Sequence, residues 1–219
     1  MGHSTSIMIA GFEIPSVCVT MFAITIVLGV VSYFLTRHMS MRPGRAQVVA
    51  EKIVDMLHNF FANVIGDKLT RKYLPVLGSL FLFILISNYS GLLPLAGKLP
   101  GLSAPTANLS AVAGLAIVVC VTTQYAGARA NGWGYLKHFV RPAAFVLPLM
   151  LLEEVIHPLS LTLRLYGNIM GEESVTEQLF ELVPLVVPVV MQALSILMGF
   201  VQAMVFTLLS CVYIMEAAE

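Results

Sequence analysis

The stretch LVPLVVPVVMQALSILMGFVQAMVFTLLSCVYIM, residues 182–215, contains 34 residues and no charged side chain. As a helix it would extend roughly 51 Å at about 1.5 Å per residue, well beyond the roughly 30 Å hydrocarbon core of a bilayer. Membrane helices tilt by about 20° on average and seldom by more than 40°. The helix predicted here, over 177–216, must therefore tilt steeply, bend, or run partly outside the hydrocarbon.

The composition of the whole chain has the same character. Hydrophobic residues make up 58% of the 219 residues, and charged residues only 11%, against about 25% in a typical globular protein. A soluble fold of this size could not bury so much apolar surface behind so few charges. Twelve basic residues balance twelve acidic ones, so no positive excess is available to bind nucleic acid. The composition predicts an integral membrane protein.

Four further segments can be embedded in the membrane. Residues 15–36, 73–95 and 108–128 are apolar runs of spanning length. Residues 142–170 form a second long segment, which would reach roughly 43 Å as a helix. Residues 44–66 instead alternate apolar with charged and amide side chains at helical spacing, which indicates an amphipathic helix in the interface.

We therefore predict an all-α polytopic membrane protein that forms a single integral membrane domain. It has five membrane-embedded helices, the last two long and steeply tilted, and one amphipathic interfacial helix. Seven Lys or Arg residues follow the first span and three follow the third, while the loop at 96–107 has one and the loop at 171–181 has none. By the positive-inside rule, the N-terminus lies outside and the C-terminus in the cytoplasm.

Arg164 is the most informative residue for function. It lies in LSLTLRLYGNIM (159–170), and no other charged residue occurs between Glu154 and Glu172. An Arg at the centre of a membrane helix costs at least about 2.5–3.5 kcal/mol and stays protonated. At about 100° per residue, the residues that share its face are Glu153, His157, Ser160, Asn168 and Gly171. Such a polar stripe suits contact with water or with an ionisable partner.

Each of these features also has a purely structural interpretation. Arg164 could extend to the interface, or pair with Glu153 or Glu154. Acids at a membrane boundary, such as Glu172 and Glu173, are often only solvated. On the last helix, one face is formed by Gln192, Ser195, Gly199 and Gln202, which recur at i, i+3, i+7 and i+10. Such a face either lines a polar path or mediates helix packing.

Other kinds of chemistry find no support in the sequence. The three cysteines, Cys18, Cys120 and Cys211, all lie in apolar runs without metal-ligand or redox spacing, which favours buried free thiols. The chain has no metal-ligand cluster, Gly-rich phosphate loop or nucleophile elbow. We therefore predict no metal, no cofactor, and no nucleotide-binding or hydrolytic site in the chain itself.

Two other classes of membrane protein remain open at this point. A secondary transporter or channel subunit could use Arg164 as an anion site, but it would show repeated topology with broken helices in corresponding halves. A purely structural scaffold would not explain the buried Arg and its polar stripe. Purification in mild detergent, which keeps partner subunits attached, would separate these classes from each other.

Four segments carry a resemblance to a known family. They are SNYSGLLPLAG (87–97), PTANLS (105–110), PLSLTLRLYGNIMGEE (158–173) and FVQAMVFTLLSCVYI (200–214). Together they resemble subunit a of the rotary F-type ATP synthases, and the resemblance covers nearly the whole chain. The third segment is the most specific, because Gly-Asn follows the Arg by three and four residues and Glu follows it by nine.

The resemblance implies proton transport coupled to ATP synthesis. In that family, a ring of carboxyl-bearing subunits, the c-ring, rotates past the Arg, and protons reach and leave it through two half-channels. Arg164 would keep the passing carboxyl ionised and block leakage between the half-channels, supported by Asn168 and Gln202. Glu173, with Glu172 beside it, would belong to the outer half-channel, and Ser160 and Glu153 to the inner one.

The resemblance also implies partners and a location. The partners would be the c-ring, the b subunits of the peripheral stalk and, indirectly, the peripheral ATPase sector, in a bacterial plasma membrane or a thylakoid membrane. Two residues depart from the family pattern. Ser195 stands where many members have His or Glu, and Asn108 stands where Asp is usual, so the outer path has fewer titratable groups here.

The interfacial helix leads to a labelling prediction. Cysteines introduced at Asp55 or Asn59 should react with a membrane-impermeant maleimide from the cytoplasmic side, because both positions lie on the polar face of residues 44–66. Cysteines at Val49 and Phe61 should be protected, because both lie on the apolar face. Uniform protection of all four positions would mean that this segment spans the membrane, and the topology would be wrong.

Overall fold

Six helices make up almost all of the chain that the structure, a computed structural model, describes. The described residues are 6–9, 12–37, 44–92, 104–131, 147–182 and 187–218. The helices are α1 (Ser16–Arg37), α2 (Arg45–Ile65), α3 (Asp67–Gly91), α4 (Leu109–Asn131), α5 (Leu147–Leu182) and α6 (Val187–Ala218). The predicted class, a helical polytopic membrane protein, is confirmed.

Two short elements that were not predicted accompany the helices. Strands β1 (Ser6–Ile9) and β2 (Phe12–Pro15) form an antiparallel hairpin that leads directly into α1. A 3-10 turn at Pro105–Ala107 precedes α4. Asn108 then caps α4, since its side-chain oxygen accepts a hydrogen bond from the Ser110 backbone N–H at 3.0 Å.

Four of the described helices are long and apolar enough to cross a membrane. These spans are Ser16–Arg37, Asp67–Gly91, Leu109–Ala130 and Val190–Ala217. Helix α5, which was expected to be the fifth embedded helix, is not among them, because Arg164 and other polar residues interrupt its apolar sequence. Its relation to the membrane therefore depends on what pairs with those polar groups.

Helix α5 continues further than the sequence predicted. Its end was expected near residue 170, with a loop over 171–181, but the helix runs unbroken to Leu182. The residues after Gly171 are mainly good helix formers, and a single interior Gly costs only about 1 kcal/mol. Accordingly α6 begins at Val187 and not at 177, with Pro188 in its first turn, where the missing N–H is tolerated.

A one-residue corner joins α2 to α3. Gly66 has φ 79°, which L residues with a side chain rarely adopt, and its N–H donates to the Ala62 carbonyl at 3.0 Å. The Thr70 hydroxyl donates back to the Gly66 carbonyl at 2.8 Å. Across the corner, His58 Nε2 lies 3.2 Å from Asp67 Oδ1. The corner lets α3 begin at residue 67, six residues before its predicted start.

The two sides of α2 have different surroundings. Its buried side consists of Leu57, Phe61 and Ile65. Asp55 and Asn59 are exposed, in agreement with the predicted polar face. Val49 was placed on the same protected face as Phe61, yet it is 58% exposed while Phe61 is fully buried. Protection of Val49 from an aqueous reagent therefore requires lipid or another subunit, because the described part of this chain does not cover it.

Helices α3 and α6 approach each other closely at Gly199. The Asn88 side-chain amide donates to the Gly199 carbonyl at 2.9 Å, and the Tyr89 hydroxyl donates to the Ile196 carbonyl at 3.2 Å. A Cβ added at Gly199 would lie only 3.3 Å from Asn88 Cβ. Gln192 extends the contact, since its side-chain amide donates to the Leu92 carbonyl at 3.1 Å. A small residue is thus required at this crossing.

Replacing Gly199 by Leu should therefore separate α3 from α6. Overpacking of this kind typically costs about 1–3 kcal/mol, so the thermal unfolding midpoint of the purified protein in mild detergent should fall by several degrees. The matched control is Gly114→Leu on α4, where an added Cβ meets no atom within 4 Å. Equal midpoints for the two variants would contradict the close approach at Gly199.

Candidate functional site

Arg164 lies on the side of α5 that faces away from the helical core. Leu161, three residues before it, is almost completely buried, and Leu165, the next residue, is completely buried. The exposed side of α5 near Arg164, called here the open face, consists of Ile156, Leu159, Leu163, Arg164, Gly167, Met170 and Gly171. The open face is thus apolar except for one guanidinium group.

The charge of Arg164 is not neutralised by any ion pair among the side chains that the structure describes. Tyr213 on α6 lies near enough for the guanidinium to act on it electrostatically. A guanidinium that stays charged on an apolar membrane surface needs water or an anionic partner, because hydrocarbon solvates it poorly. The charge is therefore solvated either by water or by a component that lies outside the described side chains.

Two glycines leave room for such a component. Gly167 and Gly171 follow Arg164 by three and seven residues on the open face, and an added Cβ at either position would meet no atom within 4 Å. Small residues at this spacing allow the backbone of a second helix to approach closely in a membrane. The site can therefore accept a helix whose side chain reaches the guanidinium.

The predicted polar stripe of α5 does not all point outward. His157 is half-buried and stacks on Tyr213, with ring centroids 4.0 Å apart and an interplanar angle of 7°. Ser160 and Asn168 are half-buried on either side of Arg164 along the helix. The structure thus brings His157 and Tyr213 together between α5 and α6, while Arg164 lies on the exposed side of α5.

The acidic residues of the predicted site all lie on α5. Glu172 is half-buried, and its backbone carbonyl accepts a hydrogen bond from the Thr176 hydroxyl at 2.8 Å. Glu173 was expected at the end of the Arg helix but lies well inside it, because the helix continues to Leu182. Glu153 lies near the other end, and the side chains of Glu153 and Glu173 fall outside the described part of the structure.

The polar face of α6 serves mainly to pack against α3. Gln192 and Gly199 both make the contacts with α3 described above, so the packing interpretation is confirmed for these two residues. Ser195 is half-buried. Gln202 is 7% exposed, and its side-chain nitrogen has no hydrogen-bond partner in the described part of the chain. A buried amide in this state is suited to bind water or a group from another subunit.

Tyr213 is the residue that the sequence did not single out. It lies within the FVQAMVFTLLSCVYI stretch, but neither charge nor periodicity distinguishes it from the other aromatic residues of that helix.

The prediction for the cysteines is correct only in part. Cys211 is buried and Cys120 half-buried, whereas Cys18 is exposed because α1 buries only the side formed by Ser16, Thr20 and Ile24.

Comparison with known proteins identifies the family of the chain. A family profile described as ATP synthase A chain matches residues 17–215. The chain is 40% identical over 202 residues to an ATP synthase subunit a from Moorella thermoacetica, which covers 92% of this chain and 89% of the relative. It is 38% identical to one from Trichlorobacter lovleyi, over 90% of this chain and 85% of the relative. The chain belongs to the ATP synthase A chain family.

Proposed function

We propose that the chain is the stator subunit a of an F-type ATP synthase and that it couples proton flow to rotation of a ring of carboxyl-bearing subunits. The observation that carries this proposal is Arg164, a permanent charge on the apolar open face of α5 beside Gly167 and Gly171. Relatives that are named ATP synthase subunit a support it. The transporter alternative has no comparable support.

The chemistry of the open face fits a passing carboxyl group. A nearby positive charge favours the ionised form of a carboxyl group, the more so where water is excluded. A ring carboxyl that arrives at Arg164 therefore releases its proton, and it can take up another only after it has moved away. The positive charge also opposes the direct passage of protons between the two half-channels. Both effects require the charge and not merely a polar group.

The outer half-channel is proposed to run along α5 and α6 on the far side of Arg164 from the cytoplasm. Its residues on α5 would be Glu173, Glu172 and Asn168. Because α5 is continuous through Gly171, Glu173 lies roughly 14 Å along the axis from Arg164. Ser195 and Gln202 on α6 would line the same path, and neither can carry a titrating proton at ordinary pH. This leaves the carboxylates as its main proton carriers.

The inner half-channel is proposed to use the residues that precede Arg164. Ser160, His157 and Glu153 lie four, seven and eleven residues before it, or roughly 6, 11 and 17 Å along the helix axis. The stacking of His157 on Tyr213 supports a role for α6 in this path. The path would open to the cytoplasm beside the C-terminal part of α6.

The partners and the placement of the chain follow from the same proposal. The whole of residues 1–219 would form one membrane domain in a bacterial plasma membrane, with the N-terminus outside and the C-terminus in the cytoplasm. The open face would contact the c-ring, and other parts of the chain would contact the b subunits of the peripheral stalk. The peripheral ATPase sector would be coupled only indirectly, since nucleotide chemistry is assigned to that sector.

The first functional prediction concerns the charge of Arg164. Arg164→Ala should abolish ATP-driven proton pumping, by at least about two orders of magnitude, while the assembled complex is recovered in normal amount. Leu163→Ala, one position away on the same open face, should keep most of the pumping, because it removes packing without removing charge. Pumping is measured by quenching of a pH-sensitive dye in inverted vesicles. Substantial coupled pumping by Arg164→Ala complexes would refute the proposal.

A second prediction distinguishes the two adjacent glutamates. Their positions are about 100° apart on one unbroken helix, so their side chains leave α5 in different directions, and the family resemblance assigns the main proton-carrying role to Glu173. Glu173→Gln should slow proton-driven ATP synthesis severalfold more than Glu172→Gln, because an amide cannot pass a proton inward. Neither variant should leak protons in membranes stripped of the peripheral ATPase. Equal and mild effects would show that water alone supplies the outer path.

A further inference from the structure

A large apolar cavity lies away from the open face, between α1, α2, α3, α4 and the C-terminal part of α6. Its volume is about 700 Å³, and no charged residue lines it. The five hydroxyl-bearing residues in its wall are Thr25, Ser32, Ser79, Thr122 and Ser210. All of these except Ser32 donate to a backbone carbonyl of their own helix. A cavity with so little free polar capacity favours an apolar occupant over water.

The cavity arises where α1 leaves the bundle. The buried residues of α1 end at Ile24, and the next turns of the helix contribute Leu28, Gly29 and Ser32 to one wall of the cavity. The opposite wall is the part of α3 from Leu74 to Phe83. This half of α1 is thus separated from the bundle by a gap that the described residues do not fill.

The size of the cavity indicates what can fill it. A transmembrane helix about 10–12 Å in diameter and 30 Å long occupies roughly 2,400–3,400 Å³, several times the space available. The observed 700 Å³ lies within the range of about 300–1,000 Å³ that is usual for sites of small molecules. A single hydrocarbon chain fits this space, whereas a partner helix does not.

The charges near the cavity select among hydrocarbon chains. The segment 37–72 contains seven Lys or Arg residues against three acids. Lys52 precedes the cavity residue Ile53, and Lys72 lies two residues before the cavity residue Leu74; both lysines are exposed. The ammonium group of Lys72 also lies 4.9 Å from the centre of the Tyr73 ring, and it has no ion-pair partner among the described side chains. Arg71, by contrast, is paired with Asp67 at 3.0 Å. Basic side chains beside an apolar site between membrane helices attract the headgroups of anionic lipids.

We propose that this cavity holds one acyl chain of an anionic phospholipid from the leaflet that adjoins the basic segment. The phosphate of that lipid lies at Lys52 and Lys72, and the chain lies between α1 and α3. The bound lipid then takes the place of protein contacts that α1 lacks beyond Ile24. This site is separate from the open face and does not depend on proton transport.

The test uses the complete complex, purified and reconstituted in bilayers of phosphatidylcholine. Two probes are compared: phosphatidylglycerol with a photoactivatable diazirine on one acyl chain, and phosphatidylcholine with the same chain. After irradiation, mass spectrometry maps the labelled residues. Phosphatidylglycerol should label the cavity segments, 28–32 and 74–83, at least about threefold more than phosphatidylcholine does.

Two kinds of variant make the result specific. Gly29→Leu places a side chain in the cavity, since a Cβ there meets no atom within 4 Å, and it should reduce labelling severalfold. Gly114→Leu, which has equal space on α4 but lies outside the cavity lining, should leave labelling unchanged. In the surface double variant Lys52→Gln/Lys72→Gln, phosphatidylglycerol and phosphatidylcholine should label the cavity segments equally.

Three results would overturn the proposal. The first is equal labelling of the unmodified protein by both lipids, and the second is labelling that Gly29→Leu does not reduce. The third is the absence of lipid labelling together with cross-links from the cavity segments to another subunit, which would identify a partner helix as the occupant. Pumping by the unmodified complex is measured in parallel. A complex that pumps normally but gives one of these three results contradicts the lipid site and leaves the proposed role of Arg164 unaffected.

Discussion

The exposed charge of Arg164 is the constraint on which the other features of the site depend. A guanidinium group cannot lose its charge in a protein, and at the centre of a bilayer it costs at least about 2.5–3.5 kcal/mol when unpaired. A chain that places this group on an otherwise apolar face therefore needs water or an anionic partner there, and the proposed partner is the ring carboxyl. Gly167 and Gly171 leave the space through which such a partner can approach.

The remainder of the fold keeps that face in a fixed orientation. Leu161 and Leu165 are buried in the core, which determines the rotation of α5 about its axis and so directs Arg164 outward. The stacking of His157 on Tyr213 attaches α5 to α6, and the close contact at Gly199 attaches α6 to α3. In the proposed function, force on the open face would thus be transmitted to a packed set of helices and not to one helix alone.

Much of this fold could be predicted from the sequence because a bilayer imposes a simple rule on composition. Apolar runs of sufficient length become helices, and Arg164 stands out because it breaks such a run. Predictions were wrong where polar residues continue a helix, as after Gly171, because composition alone does not distinguish a solvated loop from a solvated helix. Periodicity placed Val49 and Phe61 on one face but did not show that only Phe61 is covered by protein. The contact of Tyr213 with His157 depends on three-dimensional packing, for which the sequence carries no local signal.

Cross-linking at the open face tests most directly whether a ring subunit occupies it. Gly167→Cys, in a Cys18→Ser background, is combined with a cysteine placed one helical turn from the ring carboxyl, and the membranes are oxidised. The expected result is a disulfide between the two subunits that stops ATP-driven proton pumping until reductant is added. Gly114→Cys on α4 should give no such product. Failure of Gly167→Cys to cross-link to any position on the ring helix, with the complex assembled, would contradict the assignment of the open face to the rotor.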